Sequence, residues 1–199
     1  MAIIILVIEL NQPCVHLLQN HQPDVYMNLA EKAVKYAQGN PLALKVMGSN
    51  LYNKSMEEWG DELEKLESTS DDKILKILKV SYNDLDDNQK QIFLDIACFF
   101  KSNDKDHVES ILNGCSLFAR TGISRLLDKC LITVSNKKLE MHDLLQEMGK
   151  DIVRRECVKK PGKRSRLWNP KDIYNVLRKD LVRTKCVATL LFFFISQIL

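Results

Sequence analysis

Between Leu131 and His142 the apolar period of the chain changes. The run "LITVSNKKLEMH" opens on the β-formers Leu131, Ile132, Thr133 and Val134, passes through four polar residues, Ser135 to Lys138, and becomes strand-like again. This reads as strand, turn, strand. The segments on both sides repeat at helical spacing. Several helices, a two-stranded wing and another helix are the order of a winged-helix domain.

The helices are bounded by their own stop and start residues. Asp24 is placed to cap a helix running to about Gln38, and Gly39-Asn40 ends it. Pro41 suits the first position of the next helix, "PLALKVMGSNLY". Ser55, followed by Glu57 and Glu58, opens "MEEWGDELEKLES", where Trp59, Leu63 and Leu66 share one face. Ser68-Thr69-Ser70, followed by Asp71-Asp72, marks the expected boundary between two subdomains. "DDKILKILKVSY" begins the second part. "DDNQKQIFLDIACFF", capped by Asp86 or Asp87, is almost wholly apolar from Ile92 and is expected at the centre of the core. "DKDHVESILNGC" and "RTGISRLLDKC" are shorter helices. After the hairpin, "DLLQEMGKDIVRRE" is helical through Leu145, Met148 and Ile152. "NPKDIYNVL" is a last helix, with Asn169 as cap and Pro170 at its first position. The expected fold is mainly α: a small helical subdomain, then a winged-helix subdomain with a two-stranded β-hairpin.

At 199 residues the chain is long enough to bury a core, and its apolar (45%) and charged (28%) fractions are those of a soluble globular protein. A net charge of +3 by itself implies no partner. From Lys150 to Lys185, however, thirteen Lys/Arg face four Asp/Glu. Such a stretch suits nucleic acid, anionic lipid or a solvated surface. The preferred reading is a solvated surface with its counter-charges on the acidic segment from Glu57 to Asp95. The six cysteines, Cys14, Cys98, Cys115, Cys130, Cys157 and Cys186, form no CxxC pair, so no metal site is expected. Cys98, inside "FLDIACFF", reads as a buried free thiol and not a nucleophile. His16, His21 and His107 lack ligand spacing and are expected at the surface. On its own, His142 reads as a capping or packed residue. No constellation for acid–base or covalent catalysis is present.

At the ends, "MAIIILVIEL" has no basic region or cleavage site. "CVATLLFFFISQIL" is shorter than the ~20 apolar residues a bilayer requires. No membrane span and no secretory signal are expected, and the expected location is the cytoplasm, with the nucleus as a further one. An apolar tail after a basic, polar domain is what a truncated or mis-spliced reading frame leaves.

Four strings occur in order: "GNPLAL" at Gly39 to Leu44, "FLDIACFF" at Phe93 to Phe100, "MHDLLQEMG" at Met141 to Gly149 and "RSRLW" at Arg164 to Trp168. In order and spacing they resemble the NB-ARC module of plant intracellular immune receptors. The match is to the class with an N-terminal TIR domain and C-terminal leucine-rich repeats, and "LDIACFF" resembles that class rather than the coiled-coil class. The resemblance spans roughly Leu18 to Asp180. On it, residues 1–17 are a divergent N-terminal segment, 18–69 the helical subdomain, 70–180 the winged-helix subdomain and 181–199 an atypical apolar tail.

The resemblance implies a switch. ADP holds the module closed; exchange for ATP opens it and permits homo-oligomerisation. The proline of the "GLPL" motif lies against the base and sugar, and here it is Pro41, with Asn40 where leucine is more usual. The histidine of the "MHD" motif contacts the terminal phosphate of ADP, and here it is His142, supported by Met141 and Asp143. One hydrogen bond to a charged group is worth ~1.5–3 kcal/mol, enough to bias a two-state element. Asp143 is expected to cap the following helix and orient the imidazole.

The chain also departs from the family pattern. No G-x-x-x-x-G-K-[ST] string occurs, no glycine precedes Gly39, and no apolar run ending in paired aspartates precedes it either. The glycine-rich loop supplies most phosphate contacts in such modules. The chain is therefore expected to hold the two C-terminal subdomains, to lack enzymatic activity and to bind no ADP or ATP stably alone. Its expected partners are the nucleotide-binding, TIR and leucine-rich-repeat regions of the parent or related receptors. An alternative is an interaction fragment that docks on related receptors without binding nucleotide. A DNA-binding winged helix ranks lower. It would use Arg120, Arg125 and Lys129 in the groove and "KKPGKRSR" on phosphates, but nucleic acid is not the expected partner.

Overall fold

The structure is a computed structural model describing residues 23–37, 40–52, 54–67 and 73–178. The expected terminal segments, 1–17 and 181–199, and the expected boundary at Ser68-Thr69-Ser70 lie outside the described residues. The described chain is mostly helical, with one antiparallel two-stranded hairpin. The helices are α1 (Pro23–Tyr36), α2 (Pro41–Leu51), α3 (Met56–Glu67), α4 (Lys73–Asn83) and α5 (Asp87–Asp95). α5 runs directly into a π-helical turn, Ile96–Phe100. Then come α6 (Lys105–Gly114), α7 (Ala119–Asp128), β1 (Thr133–Ser135), β2 (Lys138–Glu140), α8 (Asp143–Glu156), a 3-10 turn (Pro161–Lys163) and α9 (Pro170–Arg178).

The chain forms two compact units. One takes the residues up to Asp86 together with Ser124–Leu131; the other takes Asp87–Ile123 and the residues from Ile132 onward. In the first unit α1 packs on α2 and α3, and α4 packs on α2 and α3. Their apolar faces meet at Ala33, Val46, Met47, Leu63, Ile77 and Leu78, all buried. Two aromatic side chains tie helices to backbone while staying buried. The Trp59 indole N–H donates to the Leu51 carbonyl at 2.9 Å, and the Tyr36 hydroxyl donates to the Leu66 carbonyl. Buried Trp and Tyr need such partners. α3 opens with a capping box: Ser55 Oγ accepts from the Glu58 N–H at 3.3 Å, and the Glu58 carboxylate accepts from the Ser55 N–H at 2.6 Å.

The second unit is built on α5, as its apolar run predicts. Ile92, Phe93, Ile96 and Ala97 are fully buried. Two glycines let neighbours close on this helix. A Cβ on Gly149 of α8 would stand 2.7 Å from the Ala97 Cβ, and one on Gly122 of α7 would stand 2.2 Å from the Ile92 Cδ1. The close of "MHDLLQEMG" on glycine is thus a helix-crossing requirement.

The hairpin is shorter than its β-branched run predicts. Leu131 and Ile132 are buried but precede the strand. The reason is the stop of α7. Cys130 takes a left-handed φ of 55°, its N–H bonds the Leu127 carbonyl and the Leu131 N–H bonds the Leu126 carbonyl, both at 2.9 Å. This is a Schellman stop, and it takes Leu131 out of the ladder. The turn is Asn136-Lys137, both left-handed at φ 51° and 64°. Two such residues make the tight turn whose twist suits a hairpin. Thr133 faces Glu140, Val134 faces Leu139 and Ser135 faces Lys138. β2 is also held on its other side. The Ser102 N–H donates to the Leu139 carbonyl at 2.7 Å, and the Leu139 N–H to the Asn103 carbonyl at 2.9 Å.

Candidate functional site

β2 delivers the chain to the start of α8 through Met141. That side chain is buried, while His142 and Asp143 are exposed. His142 has extended backbone (φ −61°, ψ 143°), and its carbonyl accepts the first helical bond, from the Gln146 N–H at 3.0 Å. Its Nδ1 accepts from the Leu144 N–H at 3.2 Å. His142 is therefore the N-cap of α8. A ring nitrogen that accepts carries no proton, so the neutral imidazole has its N–H on Nε2.

This corrects the role expected of Asp143. It does not cap α8, because the residue before it does. Asp143 occupies the first helical position, where a carboxylate complements the positive end of the helix dipole. There it accepts a hydrogen bond from Lys101 Nζ at 2.5 Å. The Lys101 hydrogen bond and its charge hold the Asp143 carboxyl below the usual carboxylate range. Lys101 Nζ also reaches Gln146 Oε1 at 3.4 Å, and Gln146 Nε2 donates to the Ala97 carbonyl at 3.2 Å. Lys101 was absent from the sequence-based site because it stands 42 positions from its partner.

Met141, His142 and Asp143 thus share one helix start in the second unit. Pro41 belongs to the first unit. It sits at the first position of α2, exposed, behind an N-cap that sequence reasoning missed. Asn40 Oδ1 accepts from the Ala43 N–H at 3.0 Å. The signal was there to read: Asn before Pro before an apolar run is a helix-start pattern.

The basic residues proposed for phosphate contact are partly buried. In the second unit Arg166 is 4% exposed; its Nε donates to Asp95 Oδ1 at 2.5 Å and its Nη2 to the Gln91 carbonyl at 3.0 Å. Arg164 donates to the Cys157 carbonyl at 2.9 Å and to Asp172 at 2.8 Å. Both arginines of "RSRLW" therefore hold the fold together, contrary to the solvated-surface reading. In the first unit Lys129, a proposed groove residue, is also buried. Its Nζ meets Asp84 Oδ2 at 2.5 Å and Asn50 Oδ1 at 3.4 Å. Asn50 Nδ2 in turn donates to Ser81 Oγ at 2.5 Å.

The paired aspartates shift oppositely. Burial raises the Asp84 carboxyl, but the Lys129 hydrogen bond and charge, with Lys54 and Arg125 adding, hold it below its ordinary value. Burial pushes the Asp95 carboxyl up against the pull of Arg166. The Cys98 thiol is buried and pushed up to about 12 by burial, so it is inert as a nucleophile. Among the described residues no helix is long and apolar enough to cross a membrane.

Residues 86–157 match the family described as disease resistance protein Roq1-like, winged-helix domain. The chain is 47% identical over 172 residues to disease resistance protein RUN1 of Vitis rotundifolia, covering 85% of this chain and 13% of the relative. It is 43% identical over 175 residues to disease resistance protein RPP2B of Arabidopsis thaliana, covering 87% and 14%. With TMV resistance protein N of Nicotiana glutinosa the identity is 42% over 156 residues, covering 78% and 14%. The chain thus spans 13–14% of the length of these relatives.

Proposed function

Because the chain carries the winged-helix domain of the Roq1-like disease resistance proteins and is homologous over most of its length to plant disease resistance proteins, we propose that it contributes to an ADP/ATP-dependent conformational switch in an intracellular immune receptor. In this reading the chain does no chemistry of its own. It supplies two contacts to a nucleotide seated mainly on the nucleotide-binding subdomain of the receptor, its expected partner.

The observation that carries the reading is the state of His142. Its Nδ1 is engaged by the Leu144 N–H, so its remaining N–H is on Nε2, and the ring stands exposed at a helix N-terminus. One donor at the positive end of a helix is suited to a phosphate oxygen. Pro41 offers an exposed, stiff, apolar ring on the first unit, suited to a base or sugar. Nucleotide would supply the charge to which these groups respond; Asp143 and Met141 would hold His142 in place. Met141 acts by burial and Asp143 through Lys101.

The purified chain is expected to bind no labelled ADP at micromolar concentration. Adding the nucleotide-binding subdomain as a second chain should restore binding. His142→Ala should then weaken it by about tenfold or more, the worth of one hydrogen bond to a charged group. ADP binding by the mixture unchanged on His142→Ala would overturn the reading. In the intact receptor, Asp143→Val should promote signalling without a pathogen, and a silent receptor accumulating normally would count against it.

A further inference from the structure

We propose that Asp143 protects the His142 cap by neutralising Lys101, whose ammonium stands beside the start of α8. The inference rests on the switch reading only for what that cap is used for.

The placement of Lys101 is determined from both sides. Its N–H closes the π-helical turn on the Ile96 carbonyl at 3.0 Å. The next residue, Ser102, is left-handed at φ 66° and bonds the Leu139 carbonyl of the wing. Lys101 thus stands where the core helix gives way to the segment that pairs with β2. From there its ammonium reaches the first turns of α8, meeting Asp143 at 2.5 Å and Gln146 at 3.4 Å. The side chain is 24% exposed, whereas that of Asp143 is 90% exposed.

The electrostatics of this arrangement are unusual for a lysine. A helix N-terminus carries partial positive charge, so a cation beside it is misplaced. Asp143 makes the placement tolerable by putting a carboxylate between the ammonium and the helix end. Without Asp143, Lys101 would be a charge facing the N–H groups of the first turn, including that of Leu144, which donates to His142 Nδ1. It would weaken the turn that His142 caps. In this account the loss of Asp143 does harm chiefly because Lys101 remains.

That account makes an uncommon prediction: removing Lys101 should rescue the removal of Asp143. The experiment uses the full chain without nucleotide, in four forms: native, Lys101→Gln, Asp143→Asn and the double variant. Lys101→Arg serves as a conservative control that keeps charge and reach. Amide exchange at Leu144 and the ring nitrogen shifts of His142 report the cap, and thermal unfolding reports the fold as a whole. Asp143→Asn is expected to speed Leu144 exchange by about fivefold, with the double variant within about twofold of native, the size appropriate to a pair with one exposed partner. The His142 Nδ1 signal should follow the same order, Lys101→Arg should resemble native, and the thermal midpoint should barely move. Effects that simply add in the double variant, or Leu144 exchange unchanged in Asp143→Asn, would overturn the proposal. A second arm measures ADP retention with the nucleotide-binding subdomain present. Rescue at the cap with no variant altering ADP retention would leave Asp143 as the shield against Lys101 and remove the switch reading.

Discussion

Lys129 in the first unit and Arg166 in the second are the same kind of feature. Each is a cation about 5% exposed, and each lies 2.5 Å from an aspartate oxygen. The aspartates nevertheless titrate in opposite directions. The difference lies at the carboxylate end. The Asp84 side chain is 64% exposed, so its burial cost is outweighed by Lys129 together with Lys54 and Arg125. The Asp95 side chain is only 20% exposed, and the loss of its water outweighs Arg166. The lesson is that contact distance does not set the worth of an ion pair; solvent access to the less buried partner does. The second pair also depends on more neighbours, because the guanidinium is divided among Asp95, Gln91 and Ser165.

The largest test of this contrast is Arg166→Ala. It leaves the Asp95 carboxyl buried without its partner and releases both Gln91 bonds, so a loss of ~3–5 kcal/mol is expected from urea unfolding. Arg166→Lys should fall between, since an ammonium lacks the planar fork whose separate nitrogens reach the three neighbours. Lys129→Met should cost much less, about 1 kcal/mol, because Asp84 can be rehydrated. Equal losses at the two sites would break the comparison.

The smallest effect is in the pH dependence. Asp84 has a folded value below its unfolded one. Its contribution is present above the ordinary aspartate value and is lost as pH falls through the folded value. Asp95 is raised, so its contribution is greatest in acid and is lost as pH rises through its folded value. Urea midpoints followed from about pH 7 to about pH 3 should separate the two. Asp84→Asn should lose less on acidification than the native chain, and Asp95→Asn should lose the decline on the alkaline side of the ordinary value. Parallel curves for both variants would show that the opposite signs are not real.

The parts of the fold read correctly from the sequence are those decided locally. The Ser55 start, the Asn169-Pro170 start with Asn169 Oδ1 accepting from the Lys171 N–H at 2.9 Å, and the hairpin around a polar turn all depend on neighbours within a few positions. Cys98 in the core followed from its apolar surroundings. What could not be read was non-local. "KKPGKRSR" has the composition of a solvated loop, and nothing nearby in sequence indicates that Arg166 pairs with a residue 71 positions earlier. The available signal was Asp95, the one charged residue in "FLDIACFF", since a carboxylate inside an apolar run requires a partner. In the candidate site Met141, His142 and Asp143 were found because they are contiguous. The division of labour among them was not, because a histidine is an uncommon cap and the neighbouring aspartate is a common one.

The π-helical turn at Ile96–Phe100 makes the length of this stretch as consequential as its composition. A turn closed over five residues instead of four holds one residue more than an α-helix requires. Deleting a single residue there would restore regular winding and leave the segments on both sides in phase, because the wide turn is what absorbs the extra residue. Deleting one residue from the regular α5 ahead of it has no such outlet and would swing everything downstream by about 100° around the axis. Lys101 would then leave the side of α8 and the wing would lose its registration with residues 102–105. A frame-preserving loss of one codon from α5 is thus a sharper probe of this junction than most substitutions, since it alters phase while leaving the chemistry of every remaining side chain untouched.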